Sequence, residues 1–298
     1  MTREWSEKWS GADMSLLDVT DLKVHFHDAA PERFAVNGVS FSMEEGDVLG
    51  LVGESGCGKT VTSMCISGLL PRWKADTEGR ITLEGTEIFN CTQAELNRIL
   101  GKDLGVVFQE PMTSFNPVYR IGRQVAESLY VHEHALTRDQ KKKRVLDALG
   151  RVGLPEVKEV YRKYPHELSG GMLQRAMIAA AIVTNPRLLI ADEITTALDV
   201  SIQARIIDLL RKLNREMGMA ILFISHDLHV VNRLCQRVIV MQRGKIVESG
   251  RTKEVFLHPQ HDYTKQLIAA IPSRKRTVIW LPDGREADGY IDRKRSNS

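Results

Sequence analysis

The residues best suited to chemistry stand in one run, Gly53-Glu54-Ser55-Gly56-Cys57-Gly58-Lys59-Thr60, which fits the pattern G-x-x-x-x-G-K-[ST]. Glycines at this spacing let backbone N–H groups turn inward around phosphate oxygens, and a helix starting at the end of the run adds the positive end of its dipole. Lys59 then reaches the β- and γ-phosphates of a nucleotide as a point charge, and the Thr60 hydroxyl is placed to ligate Mg2+. The bland alternative is a Gly-rich turn carrying a surface lysine.

A second run, Leu188-Leu189-Ile190-Ala191-Asp192-Glu193, ends an apolar strand in two acids. A carboxylate on a strand end is held by the sheet, so Asp192 can face Mg2+ and Glu193 an attacking water; acids capping a strand toward solvent are the alternative. In a third run, Leu168-Ser169-Gly170-Gly171-Met172, a helix opens with free N–H groups, a small hydroxyl and no bulky side chains, which makes a second anion site.

These side chains need elements to carry them. Val48–Val52 reads as a buried strand and Thr60–Leu70 as a helix ended by Pro71. Before them, Leu22–Phe26 and Phe34–Phe41 flank the Pro31 loop as an antiparallel opening, and Arg80–Ile88 is a strand pair turning at Glu84–Gly85. From Gln124 to Val152 apolar residues recur at helical spacing, with the charge run Arg138–Arg144 on the other side. A further helix spans Met172 to Val183, before Asn185–Pro186. Leu188–Ala191 and Ala220–Ile224 fit parallel strands covered on both faces, with Ile202–Leu213 crossing between them. Val238–Gln242 and Lys245–Glu248 form a late hairpin around Arg243–Gly244.

Composition narrows the class. A chain of 298 residues, 43% hydrophobic, 27% charged and 6% aromatic, is that of an ordinary globular α/β protein. Its longest strictly apolar stretch, Ala176–Val183, has eight residues, against about 20 for a membrane span, and no secretion signal is indicated at the start. Four cysteines, Cys57, Cys65, Cys91 and Cys235, form no C-x-x-C, which argues against zinc, iron–sulfur or disulfide frameworks and for a reducing cytosol. The net charge of +3 resides in residues 273–298, with seven basic and four acidic side chains. The balanced remainder argues against a nucleic-acid partner, and the basic tail reads as a solvated end. Residues 1–14, polar apart from Trp5 and Trp9, read as an appendage.

The phosphate loop, the Leu-Ser-Gly-Gly stretch and the Asp-Glu strand, in this order, resemble the nucleotide-binding subunit of an ATP-binding-cassette (ABC) transporter. The resemblance covers about residues 15–272. It implies a RecA-like P-loop α/β core with an antiparallel β-subdomain and a helical subdomain near residues 110–185. It also implies an ATPase using ATP and Mg2+ in which two cassettes pack head to tail, so that Ser169, Gly170 and Gly171 of one face the nucleotide held by the other. By the same resemblance Gln109 matches a glutamine that touches Mg2+ and couples to the membrane partner. Asp199 matches an aspartate at the dimer contact, and His226 a histidine that contacts the γ-phosphate. An aromatic upstream of the phosphate loop stacks on adenine: Phe26 is the first choice and Phe34 the rival, and either could simply be core.

Pro111-Met112-Thr113-Ser114-Phe115-Asn116-Pro117, Tyr164-Pro165-His166-Glu167-Leu168, and Tyr263-Thr264 with Ile271-Pro272 are similar to the peptide/nickel importer branch. This implies two permease subunits, an extracytoplasmic solute-binding protein acting indirectly, and a place on the cytoplasmic face of the membrane. Two departures stand out. The cysteine-bearing extension usual in that branch is not matched after Pro272, so no iron–sulfur cluster is expected. Ile194 stands where the family commonly has proline, which frees φ and restores an N–H. Cys57, at a helix N-terminus, reads either as a reactive thiol of lowered pKa or as a small filler. A soluble cassette acting on ribosomes or DNA, or a small-molecule kinase sharing the phosphate loop, are the competing classes.

Overall fold

The computed structural model describes residues 15–30, 32–89, 91–196, 199–271, 278–280 and 286–288. The chain opens with antiparallel strands β1 (Leu17–Phe26) and β2 (Val36–Met43), then enters β3 (Val48–Val52), whose five residues are all buried. The Gly-rich run leads into α1 (Lys59–Ile66). This helix stops short of the Leu70 end expected from Pro71. Gly68 takes φ +63°, and the Gly68 and Leu69 N–H groups donate back to Cys65 O and Met64 O at 3.1 and 2.8 Å. That left-handed glycine closure satisfies the last carbonyls before the proline is reached.

Next come β4 (Ala75–Leu83) and β5 (Thr86–Glu87), turning at Glu84 and Gly85, both with positive φ. The strand begins five residues before the expected Arg80 because its first half pairs with β1 from Phe26 opposite Ala75. The helix α2 (Gln93–Ile99) comes after it, with a capping box between Thr92 and Glu95, and then the short β6 (Leu104–Val107). Between β6 and the next strand lie only helices: α3 (Pro111–Ser114), α4 (Ile121–Val125), α5 (Glu127–His132), α6 (Arg138–Arg151), α7 (Val157–Arg162) and α8 (Gly170–Ile182).

Strand β7 (Leu188–Asp192), helix α9 (Val200–Met217) and strand β8 (Ala220–Ser225) then form a parallel crossover, as the apolar runs predict. The remainder is α10 (Leu228–Leu234), the hairpin β9 (Arg237–Gln242) and β10 (Lys245–Arg251), α11 (Thr252–Leu257), α12 (Asp262–Ala269) and a last antiparallel pair, β11 (Val278–Trp280) with β12 (Glu286–Asp288). The appendage 1–14 and most of the basic tail lie outside the described residues. Among the described residues no helix is long and apolar enough to cross a membrane.

Beside the β11–β12 pair, two larger sheets result, β2-β1-β4-β5 and β10-β9-β3-β8-β7-β6. In the larger one β9, β3, β8, β7 and β6 run parallel. Alternate residues of its central strands go to opposite cores: Val52, Ala191 and Phe223 pack with the helices, while Leu51, Ile190 and Ile224 pack toward the smaller sheet. A sheet covered on both faces explains why these strands read as continuous apolar runs.

Candidate functional site

Register sets the site. Val52 stands opposite Ser225, Asp192 opposite Ile224, and Val107 opposite Ala191, so the carboxyl ends of β3, β8, β7 and β6 finish nearly level. The residues immediately after each strand therefore gather along one edge: the Gly53–Thr60 run after β3, His226 after β8, Glu193 after β7, and Phe108 and Gln109 after β6. This is the crevice where open parallel sheets take ligands.

At two of its glycines the phosphate loop is held by backbone contacts that leave no room for a side chain. At Gly58, φ +108°, a Cβ would lie 2.5 Å from Ala35 O; at Gly53 it would lie 2.3 Å from Met241 O. The β9–β10 hairpin clamps the loop from above, because the Gly244 N–H donates to Cys57 O at 2.9 Å while Gly244 O accepts the Asn37 N–H at 2.8 Å. Lys59, 3% exposed, folds over the loop, and its Nζ donates to Gly53 O and to Glu54 O, both at 2.9 Å. Glu54, Ser55, Gly56 and Thr60 are exposed.

Asp192 is 9% exposed, and its Oδ2 accepts the Ser63 hydroxyl at 2.8 Å. Its Oδ1 is buried without a hydrogen-bond partner. Burial raises the Asp192 pKa above the usual carboxylate value, opposed mainly by the Ser63 hydroxyl. A buried carboxylate oxygen with no partner, beside the hydroxyl of Thr60, is a donor set suited to a hard divalent cation. Thr60, Asp192 and Gln109 line one cleft of about 480 Å3 together with Phe108, Glu110, Thr113 and Ser114.

Glu193 adopts φ +50°, a left-handed turn that costs a non-glycine residue about 1 kcal/mol. Its N–H still donates to Ile224 O at 3.0 Å, so the sheet holds the residue while the chain turns. The turned carboxylate lies 3.6 Å from His226 Nδ1, and its other oxygen accepts the Thr196 hydroxyl at 3.4 Å. Ile194, 1% exposed, packs into the core beside it.

Ser169 caps α8, its hydroxyl accepting the Met172 N–H at 3.4 Å, and the helix starts at Gly170, two residues before the expected Met172, because the cap precedes the glycines. Ser169 and Gly170 are exposed, Gly171 half-buried, and none of the three lines the Asp192 cleft. Asp199 caps α9 and accepts the Ile202 N–H at 2.9 Å, which holds its carboxyl below the usual range; its neighbours Ala197 and Leu198 lie outside the described residues. Phe26 is half-buried and packs on the inter-sheet core, while Phe34 stacks edge-on to His25 at 5.5 Å.

Of the two readings of Cys57, the structure favours the filler. Cys57 is 6% exposed, and burial raises its thiol pKa despite the nearby Lys59 ammonium. The loss of hydration outweighs the pull of the Lys59 charge and its hydrogen bonds, so the thiol is a filler under Gly53, where its Sγ would sit 2.7 Å from an added Cβ. Sequence reasoning missed Ser63, one helical turn beyond Lys59 and aimed at β7; that spacing was the available signal. It also gave no role to Tyr263, whose hydroxyl accepts the Glu54 N–H at 2.9 Å.

Comparison with known proteins places the chain in a family. Residues 36–196 match the family described as ABC transporter. A putative peptide import ATP-binding protein of Brucella ovis is 49% identical over 263 residues, covering 86% of this chain and 78% of that protein. The oligopeptide transport ATP-binding protein OppD of Bacillus subtilis is 44% identical over 259 residues, covering 87% and 72%. Among solved structures, the dimeric ATP-binding cassette MJ0796 in a post-hydrolysis state with ADP and Pi superposes with TM-score 0.70 at 27% identity, covering 79% of this chain and 98% of that one. With the ordered motifs, the level strand ends and these matches in hand, the chain belongs to the ABC transporter family and is an ATP-hydrolysing, ATP-binding cassette subunit.

Proposed function

We propose that this cassette, residues 15–272, powers the import of peptides or a related small solute through two separate permease subunits. It would sit on the cytoplasmic face of the membrane, with an extracytoplasmic solute-binding protein delivering the solute. The names of the relatives support the solute class. The observation that carries the coupling is a second cavity, about 330 Å3, that shares Phe108 and Ser114 with the Asp192 cleft. Its walls include Leu69, Leu100, Phe115 and Met177. An apolar groove next to Gln109 suits a short permease segment, and a shift of that segment would be felt at the metal side of the nucleotide.

In this reading Gly53, Glu54, Ser55, Gly56, Cys57, Gly58 and Lys59 cradle the phosphates, and Lys59 exchanges two loop carbonyls for phosphate oxygens. Thr60, Asp192 and Gln109 hold Mg2+, which when bound supplies charge neutralisation at the β- and γ-phosphates. Glu193 takes the proton of the attacking water, and His226 bonds the γ-phosphate and steadies Glu193. Ser169, Gly170, Gly171 and Asp199 serve the nucleotide of a second cassette, identical or homologous, and Phe26 stacks on adenine. ATP closes the pair and hydrolysis parts it, a two-state switch biased by the γ-phosphate.

The test is reconstitution. The chain, purified from detergent extracts with its membrane partner and returned to vesicles, is expected to drive ATP-dependent accumulation of labelled peptide, abolished by Glu193→Gln. Recovery with ribosomes or DNA and no permease would contradict the proposal.

A further inference from the structure

Tyr263 stands in the first turn of α12, 5% exposed, its side chain in the core on the helix-covered face of the large sheet. Its hydroxyl oxygen accepts the Glu54 N–H at 2.9 Å across 209 residues of sequence. Glu54 N–H and Gly53 C=O belong to one peptide group, and Lys59 Nζ holds that carbonyl at 2.9 Å. A single peptide plane is thus gripped from one edge by Lys59 and from the other by Tyr263.

The tyrosine is itself fixed. The carboxylate of Glu248 on β10, 8% exposed, accepts the Gln260 N–H at 2.8 Å and the His261 N–H at 3.0 Å. His261 Nδ1 in turn accepts the Tyr263 N–H at 3.2 Å. A line of hydrogen bonds runs from β10 through the start of α12 into the phosphate loop. It ends at the hinge where Gly53, φ +151°, passes too close to Met241 O for any side chain.

We propose that Tyr263 is a positioning residue for nucleotide binding, which keeps the Gly53–Glu54 peptide in place when Lys59 leaves it for a phosphate. Without the phenolic oxygen the peptide loses both holds at that moment, and the loop spends less time in the competent arrangement. Apparent affinity falls by that fraction. Tyr263 touches no reacting atom, so the hydrolytic step at saturation is spared. The inference rests on the Gly53–Thr60 run being the nucleotide site.

The experiment uses the full chain with Tyr263→Phe, which keeps the ring and removes only the acceptor. The dissociation constant of the Mg2+ complex of trinitrophenyl-ATP is expected to rise about 3- to 10-fold, the loss of one hydrogen bond, with kcat unchanged. Amide exchange in the peptide holding Glu54 is expected to accelerate, and exchange in the other strands to stay as it was. Glu248→Gln, which weakens the same line two steps away, is expected to raise the constant less, and the double variant no more than Tyr263→Phe alone. An unchanged constant and unchanged exchange would overturn the proposal, as would a fall in kcat at constant affinity. Should Tyr263→Phe fail to fold, Glu248→Gln gives the same two readouts. Absence of probe binding by the wild-type chain would instead sink the assignment of the nucleotide site.

Discussion

Glu193 Oε1 lies 3.6 Å from His226 Nδ1, the two side chains projecting from the ends of neighbouring parallel strands β7 and β8. The pairing depends on the positive φ of Glu193, which turns the carboxylate out of the strand while its N–H stays bonded to Ile224 O. If Glu193 is the base, Glu193→Gln keeps shape and hydrogen bonding but removes proton affinity. Turnover is expected to fall about 100-fold or more, as for loss of a general base, with ATP affinity unchanged in equilibrium titration. Near-normal single-turnover hydrolysis would reassign the base.

The carboxyl of Asp192 lies buried at the end of β7. Burial raises its pKa, so at pH above the ordinary carboxylate range the unfolded chain gives up its proton before the native one. Stability is then lost as pH rises through the raised native value, and the buried charge persists above it. Asp192→Asn keeps an acceptor for Ser63 and removes the charge. Its melting temperature without added metal is expected to exceed that of the wild type near neutral pH, the gap narrowing toward about pH 4, and Mg2+-dependent stabilisation by ATP is expected to vanish. Parallel melting curves across that range would contradict the account.

Two loop glycines separate backbone strain from crowding. Gly56, φ +78°, has open space where a Cβ would go, whereas Gly58, φ +108°, meets Ala35 O at 2.5 Å. Gly56→Ala is expected to cost about 1 kcal/mol and Gly58→Ala clearly more, measured by urea denaturation. Equal costs would mean that the chain entering β2 does not press on the loop.

Thiol chemistry should track burial. Cys57, with its raised pKa, is expected to alkylate more slowly at neutral pH than the half-buried Cys91, as read by peptide mass spectrometry. Prior modification of Cys57 would restore the reactive-thiol reading.

Much of the fold was legible in the sequence because the strands that bear the site are buried on both faces and so appear as uninterrupted apolar runs. Val48–Val52 and the Leu188–Asp192 strand needed no further signal. The hairpin at Arg243–Gly244 was equally clear, since both residues take positive φ. What escaped was tertiary. Helix α1 ends at Ile66, closed by the left-handed Gly68, rather than running on to Pro71, because a glycine closure acts earlier than a proline block. The contacts of Ser63 with Asp192 and of Tyr263 with Glu54 join residues 129 and 209 positions apart, and no local pattern carries them. Of the two readings open for Cys57, the sequence could not choose, because the balance between lost hydration and the Lys59 charge depends on how much the fold covers the thiol.

The central claim is that a nucleotide is closed between two half-sites, the Gly53–Thr60 loop of one cassette and the Ser169 helix start of another. The most direct measurement is specific ATPase activity against protein concentration, for the wild type and for Ser169→Arg. The account predicts activity that climbs with concentration as pairs form and is lost in Ser169→Arg, which still binds ATP. Full activity in a strictly monomeric preparation, undiminished by Ser169→Arg, would contradict it.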